Sequence, residues 1–370
     1  MIKIQNVTKR YGPTIAVDDI SLEIPAGEIC CLIGPSGCGK STALKLINRM
    51  LEPASGRISI DGKDTRDFKP ELLRRHIGYV IQNVGLFPHM TVAENIAVVP
   101  QILSWKQEKI EERTEELFRM MRMESDHYRD KYPRELSGGE AQRIGVARAL
   151  ASDPAILLMD EPFGAVDPLN REGLQAEFMK IQTDLKKTVV FVTHDLDEAI
   201  RLGDRIALMR EGKIVQYDTP EEILAHPENR FVSDFVGADR ALKRLSRFPV
   251  SKFMKKSAAV RVSDDVDAFL AKTRKEGKPR FVWLLDEHEQ LIGPVDSHHV
   301  HTPFDREEDV MEANCSAITV RDSATLREVL SRMLGQGVKT IPVIDDNSRL
   351  VGEISILEIE RVTEEAALEC

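Results

Sequence analysis

Over the first two thirds of the chain, short runs of consecutive apolar residues alternate with longer stretches whose apolar positions recur at helical spacing. The runs are ICCLI (29–33), IGYVI (77–81), AILLM (155–159) and VVFVT (189–193), with a helical pattern near 106–123 between the second and third. A strand that is apolar at every position has no face for water, so these read as strands covered by helices on both sides. The alternation predicts an α/β fold around a largely parallel sheet. Thr219, Pro220 and Glu222 give an N-cap, a first-turn proline and a capping-box acid, and so predict the last helix of a domain ending near residue 237.

From residue 240 to 256 the pattern changes: Arg240, Lys243, Arg244, Arg247, Lys252, Lys255 and Lys256 occur without one acidic residue. This stretch reads as a basic, partly helical linker, assigned to residues 238–250. Beyond it the chain repeats itself. AVRVSDD (259–265) matches AITVRDS (317–323) at an offset of 58, and WLLDEHEQLIG (283–293) matches PVIDDNSRLVG (342–352) at 59. Each unit, 251–305 and 306–365, reads as strand, helix, strand, turn, strand; units this small are expected to pack together.

A length of 370 residues allows two or three domains, and the composition excludes collagen, a disulfide-stapled miniprotein and a wholly disordered chain. A net charge of −10 disfavours nucleic acid as a partner. No apolar run exceeds five residues, far short of the roughly 20 that cross a bilayer as a helix. The amino terminus lacks an apolar signal region, which leads to an expected cytoplasmic location. Cys30, Cys31, Cys38, Cys315 and Cys370 are odd in number and lack metal spacing, as suits free thiols.

Chemistry enters at GPSGCGKST (34–42), which satisfies G-x-x-x-x-G-K-[ST] between the apolar run 29–33 and a helical stretch. Glycines at Gly34, Gly37 and Gly39 let backbone N–H groups, including those of Pro35's successors Ser36 and Cys38, curl round phosphate oxygens. The helix start and Lys40 add positive charge, Ser41 offers a hydroxyl to Mg²⁺, and Thr42 continues the motif. Asp160 stands at the end of the run 155–159, where a carboxylate reaches Mg²⁺. Glu161 follows as general base for an attacking water. His194 and Gln82 end two further strands on the same sheet edge. Cys38 reads equally as an oxidisable thiol or as an inert filler. His288, His298, His299 and His301 read as a solvated loop rather than a metal site.

LSGGEAQRIGVARAL (136–150) is the most specific signal. Ser137 is an N-cap, and Gly138 and Gly139 expose backbone donors at a helix start, a second anion cradle in a chain that already has one. With these motifs in order over about residues 1–237, the chain resembles the nucleotide-binding subunit of an ATP-binding-cassette transporter. That resemblance implies a P-loop cassette with a helical subdomain, binding ATP and Mg²⁺, and a head-to-tail homodimer in which the phosphate loop of one copy meets Ser137, Gly138 and Gly139 of the other. It further implies that Tyr11 stacks on adenine, that Gln82 contacts Mg²⁺ and links it to the membrane subunit, that His194 contacts the γ-phosphate, and that GAVD (164–167) crosses the dimer seam. Glu140 stands where the family more often has glutamine.

QNVGLFPHMTVAENI (82–96) resembles the segment that docks on a permease helix in importers. The carboxyl-terminal repeats resemble a tandem CBS pair, an α+β module. Cassette plus CBS pair is similar to the ATP-binding subunits of osmoprotectant importers for glycine betaine, carnitine, choline or related quaternary amines. Such a subunit sits at the cytoplasmic face of the membrane with separate permease subunits and an extracytoplasmic substrate-binding protein. The alternatives are an importer subunit for another small polar solute, such as an amino acid, and a soluble cassette protein without a transport role. Nucleotide-binding CBS units usually end in G-x-x-[ST]-x-x-D. The second unit offers Gly352, Ser355 and Glu358, whereas the first offers Gly293, Asp296 and His299. The basic stretch can also meet the acidic tail (Glu358, Glu360, Glu364, Glu365, Glu369), a contact that salt would weaken.

Overall fold

The computed structural model describes all residues except 83–84, 165, 167, 276–280, 298–309, 311–317 and 369–370. The chain divides into two compact units, Met1–Gly237 and Ala238–Cys370.

In the first unit, β1 (Ile2–Tyr11), β2 (Thr14–Ile24), β4 (Ser55–Ile60) and β5 (Lys63–Asp64) form an antiparallel sheet in the order β2-β1-β4-β5. A second sheet contains β3 (Ile29–Ile33), β6 (Ile77–Val80), β7 (Ile156–Asp160), β8 (Thr188–Val192), β9 (Arg205–Arg210) and β10 (Lys213–Asp218). Its order is β10-β9-β3-β8-β7-β6, and every pairing is parallel except β10 with β9. The continuous apolar runs now have a reason. Ile29, Cys31 and Ile33 of β3 face one core with Leu157, Met159, Val189 and Phe191. Cys30 and Leu32 face a second core with Ile156, Leu158, Val190 and Val192. Each side chain so buried contributes about 1.5–3 kcal/mol, and alternation between two dry faces leaves no polar position.

Helix α1 (Lys40–Ile47) follows β3, α2 (Pro70–Arg75) precedes β6, and a helical subdomain fills the span between β6 and β7: α3 (Val92–Ile102), α4 (Gln107–Met120), α5 (Ser125–Tyr128) and α6 (Gly138–Leu150). Helix α7 (Pro168–Leu185) joins β7 to β8, and α8 (Leu196–Leu202) joins β8 to β9. Thr219 caps α9 (Pro220–Ala225) by accepting from the Glu222 N–H, while the Glu222 carboxylate turns to His226 Nδ1 at 3.0 Å instead of closing a box. This helix is not the last. Asn229 caps α10 (Arg230–Val236), which buries Val232 and Val236 in the first core and packs Phe231 and Phe235 against it. Among the described residues no helix is long and apolar enough to cross a membrane.

The second unit holds two copies of one pattern. Strand β11 (Ala259–Arg261), helix α12 (Val266–Lys275) and the hairpin β12 (Phe281–Leu285) and β13 (Leu291–Asp296) make the first; α11 (Arg240–Leu245) precedes them. Strand β14 (Val320–Arg321), helix α13 (Leu326–Gln336), β15 (Thr340–Ile344) and β16 (Leu350–Ser355) make the second, followed by α14 (Ile356–Leu368). Val282 pairs with Val295 and Leu284 with Gly293, as Ile341 pairs with Ile354 and Val343 with Gly352. At the hairpin tips, Asp286 and Asp345 each accept two backbone N–H bonds, and Glu289 and Ser348 each take a positive φ. The repeats touch there through the Gln290–Arg349 bridge. They touch again where the Trp283 indole donates to Glu353 Oε2 at 2.6 Å.

The segment read as a basic linker is part of this unit. Leu245 and Val250 are fully buried in the core of the second repeat, the Val250 N–H donates to Ala324 O, and Phe248 and Phe253 pack alongside. Seven cations in seventeen positions mask an apolar i, i+5, i+8 set, because long basic side chains keep their heads in water while the neighbouring apolar residues face the core.

Candidate functional site

Parallel strands bring their carboxyl ends to one edge, and β3, β8, β7 and β6 are neighbours in that order. The loop after β3 carries Gly34 to Gly39, and α1 begins at Lys40 with no acid in its first turn. Gly34 has φ +146, and a Cβ there would lie 2.1 Å from the Met209 carbonyl oxygen. Gly39 has φ +108, with a Cβ position 2.4 Å from Ala16 O. Pro35, Ser36 and Gly37 are exposed along the turn, and Ser41 and Thr42 are half-buried. Lys40 is buried and donates to the Gly34 and Pro35 carbonyls at 2.7 and 3.0 Å.

Cys38 is buried, 3.8 Å from Lys40 Nζ. Burial pushes its thiol up despite that cation. The structure therefore decides between the two readings of Cys38 in favour of the inert filler, since a protonated, covered thiol is a poor nucleophile.

Ser41 Oγ donates to Asp160 Oδ1 at 2.9 Å, which joins the glycine loop to β7. Burial pushes the Asp160 carboxyl above its usual range; the Ser41 bond opposes this and the neighbouring Glu161 charge adds to it. Glu161 takes a left-handed backbone, φ +47, and its N–H donates to Val192 O. A glutamate held there costs about 1–3 kcal/mol, strain of the kind that collects at functional sites. The turn sends its carboxylate to two of the residues chosen from sequence. Gln82 Nε2 donates to Glu161 Oε2 at 2.9 Å, and His194 Nδ1 lies 3.4 Å from Glu161 Oε1. Gln82, Glu161 and His194 thus meet over β6, β7 and β8, beside the Ser41–Asp160 pair.

Other candidates lie apart. Tyr11 ends β1 with an exposed ring and Lys9 Nζ 5.4 Å from its centroid. Ser137 caps α6 in a full capping box: its N–H donates to Glu140 Oε2 at 2.7 Å and its Oγ accepts from the Glu140 N–H. Ser137 and Gly138 are exposed and Gly139 half-buried, and among the described residues no hydrogen bond joins them to the glycine loop. Glu140 also accepts from Tyr128 Oη at 2.6 Å. That bond, then those from Ser137, hold the Glu140 carboxyl down at about 2. Ala165 and Asp167 of GAVD are outside the described residues, as are His298, His299, His301, Cys315, Glu369 and Cys370. Among the described residues no cluster has metal-ligating composition.

In the second unit Ser355 donates to Glu358 through both N–H and Oγ, and Lys255 Nζ pairs with Glu358 Oε1 at 2.5 Å. Burial works upward on Glu358, but Lys255 and Ser355 outweigh it and hold the carboxyl at about 2. The basic stretch does meet the acidic tail here. The hydroxyl and the carboxylate of the G-x-x-[ST]-x-x-D match are therefore bonded to each other.

The ABC transporter family matches residues 17–164, a span from β2 to Gly164 that includes the glycine loop, Gln82, Ser137, Asp160 and Glu161; the CBS domain family matches 308–364. The chain is 46% identical over 358 residues to the glycine betaine/carnitine/choline transport ATP-binding protein OpuCA of Bacillus subtilis, covering 96% of this chain and 94% of that one. It belongs to the ATP-binding subunits of ABC transporters. The subunit is also 45% identical over 369 residues to the osmoprotectant import ATP-binding protein OsmV of Salmonella typhimurium, with 96% and 94% covered. Among solved structures it is similar to the dimeric cassette MJ0796, at 36% identity and TM-score 0.54, over 59% of this chain and 98% of that one. The same cassette bound to ADP and Pi in a post-hydrolysis state matches at 35% identity and TM-score 0.54. The subunit is an ATPase that binds ATP, with a CBS domain at its carboxyl end.

Sequence reasoning missed two features. One is the antiparallel sheet of β1, β2, β4 and β5, signalled by the alternation in IKIQNV and AVDDISLEI. The other is a buried polar group beneath His194, hinted at only by the D-x-x-E spacing of Asp195 and Glu198.

Proposed function

We propose that this subunit hydrolyses ATP to energise import of osmoprotectants of the quaternary-amine class, glycine betaine, carnitine or choline, with the second unit as a regulatory or dimerising module. The observation that carries the reading is similarity at 45–46% identity over 96% of the chain to one subunit named for those solutes and one named for osmoprotectant import, through both units rather than the cassette alone. Separate permease subunits would carry the solute at the membrane, with this subunit peripheral on the cytoplasmic face and a binding protein outside.

Two copies would close head to tail, so that the glycine loop and Lys40 of one copy and Ser137, Gly138 and Gly139 of the other enclose one ATP, with Tyr11 against the adenine. The dimeric state of the similar cassette supports this arrangement. Backbone N–H groups of 36–41 and the Lys40 ammonium would hold phosphate oxygens, an arrangement suited to anions. Glu161 would take a proton from the attacking water, and His194 beside it would donate to a γ-phosphate oxygen.

The donor set suits Mg²⁺. Ser41 Oγ and Asp160 Oδ1 are hard oxygens 2.9 Å apart, the ligand type that ion takes, and a cation would satisfy the buried Asp160 charge. Ser41, Asp160 and the Gln82 carbonyl would hold it, and when bound it would offset phosphate charge.

The test is growth in high salt of a bacterium lacking its own betaine importers, supplied with this subunit, its permease and its binding protein. Added glycine betaine restores growth with the wild type and not with Lys40→Ala. Restoration by an unrelated amino acid and not by any quaternary amine would overturn the substrate class.

A further inference from the structure

Behind the turn that carries His194 lies a polar network whose central pair is buried. Glu198 and Gln175 are 6% and 4% exposed, and Gln175 Nε2 donates to Glu198 Oε1 at 2.8 Å. Two neutral or ionised polar groups this deep are costly unless every one is bonded, and here the bonds lead in two directions. Toward the histidine, Thr193 donates its hydroxyl to Glu198, and the same oxygen accepts from the Asp195 N–H at 3.0 Å. Asp195 caps α8, accepting from the N–H groups of Asp197 and of Glu198 itself. His194 is the residue between Thr193 and Asp195: the first is tied to the Glu198 carboxylate, and the second to the backbone N–H at the start of α8.

Toward the helix after β7, Gln175 and Arg171 both belong to α7. Arg201 Nη1 donates to Gln175 Oε1 at 3.3 Å. Arg171 faces the Glu198 charge and donates from Nη2 to Val166 O at 3.1 Å, within the GAVD segment. One buried carboxylate therefore sits between the loop that carries His194 and the helix that follows GAVD.

We propose that Glu198 is a positioning residue for ATP hydrolysis: it holds the turn at Thr193 against α7 so that His194 stays beside Glu161, and through Arg171 it couples the placement of that histidine to Val166. The proposal rests on the reading of His194 as a γ-phosphate contact. His194 is itself largely exposed, with a side chain 63% accessible. Its own packing cannot fix it, so the turn must. A displacement of about 1 Å at such a group is enough to cost up to about 100-fold in rate.

The test uses the full-length protein and steady-state ATPase assays with ATP titrations. Glu198→Ala is expected to lower kcat about 10- to 100-fold with the dissociation constant for ATP within about threefold of wild type. Glu198→Gln, which keeps an acceptor for Gln175 while it reverses the hydroxyl bond and removes the charge that Arg171 faces, restores kcat to within about threefold. Gln175→Ala cuts the same bond from α7 and supplies a second variant should Glu198→Ala be recovered unfolded. The discriminating readout is a double-mutant cycle. In a His194→Ala background Glu198→Ala, or Gln175→Ala in its place, should remove less than about twofold more activity, because its effect passes through the histidine. Multiplicative losses in that cycle, or wild-type kcat in a folded Glu198→Ala protein, overturn the proposal while leaving the reading of His194 intact. Wild-type kcat in His194→Ala alone overturns that reading and the proposal with it.

Discussion

Replacing Glu161 by Gln is expected to lower ATP turnover by a factor of about 10² to 10⁴, the range for loss of one positioned base, while ATP binding persists. The substitution changes one atom and nothing in the frame. Glutamine can keep the φ of +47 as readily as glutamate, and its carbonyl oxygen still accepts from Gln82 Nε2, now 2.9 Å from Glu161 Oε2. What disappears is the proton acceptor. The Ser41–Asp160 pair and the Lys40 contacts of the glycine loop are untouched, so affinity for ATP should stay within about threefold and the ATP-loaded dimer should accumulate. Steady-state phosphate release with an ATP-binding isotherm on the same preparation checks both halves. Turnover within about threefold of wild type would remove Glu161 from the chemistry.

Gly39→Ala is expected to abolish ATP binding and to destabilise the first unit by about 3 kcal/mol or more. Two costs combine. At φ +108 an L side chain is strained wherever it sits, and the new Cβ would lie 2.4 Å from the backbone oxygen of Ala16, a strand atom that cannot swing aside. The loop must move, and with it the start of α1 and Lys40. Gly37→Ala is the control. Its φ is +79, but nothing lies within 4 Å of its Cβ position, so it bears only the conformational cost of about 1–2 kcal/mol. Thermal unfolding of both variants, with ATP titration, separates collision from strain: equal losses in the two would show that the contact with Ala16 O does not matter.

Elements whose cause lies within a few residues were legible in the sequence. The run ICCLI is buried at every position because its odd and even residues feed two different cores, and a local pattern is enough to say so. The caps at Thr219 and Ser137 likewise act over three residues. The gathering of Gln82, Asp160, Glu161 and His194 followed from strand ends sharing one edge of a parallel sheet. What stayed hidden depends on distant partners. Glu198 and Gln175 are 23 residues apart, and only the packing of α7 on α8 makes them a pair. Composition also misled. The charge of 240–256 suggested a tether, whereas Leu245 and Val250 anchor the segment in a core. The reactivity of Cys38 was open until its burial was known. Ser355 and Glu358 nearly match a nucleotide signature, with a longer acid in the last place, and only the fold shows that Lys255, far earlier in the chain, pairs with that carboxylate.

The central claim is that neither copy of the subunit holds a complete ATP site. Ser36 and Ser137 are both exposed, so each can carry a reporter. Ser36→Cys and Ser137→Cys, placed in separate Glu161→Gln chains, mixed, loaded with ATP and treated with a short bis-maleimide, should give a dimer whose cross-linked peptides join position 36 of one chain to position 137 of the other. An ATP-dependent dimer that joins 36 only to 36, or that never joins 36 to 137, would contradict the claim.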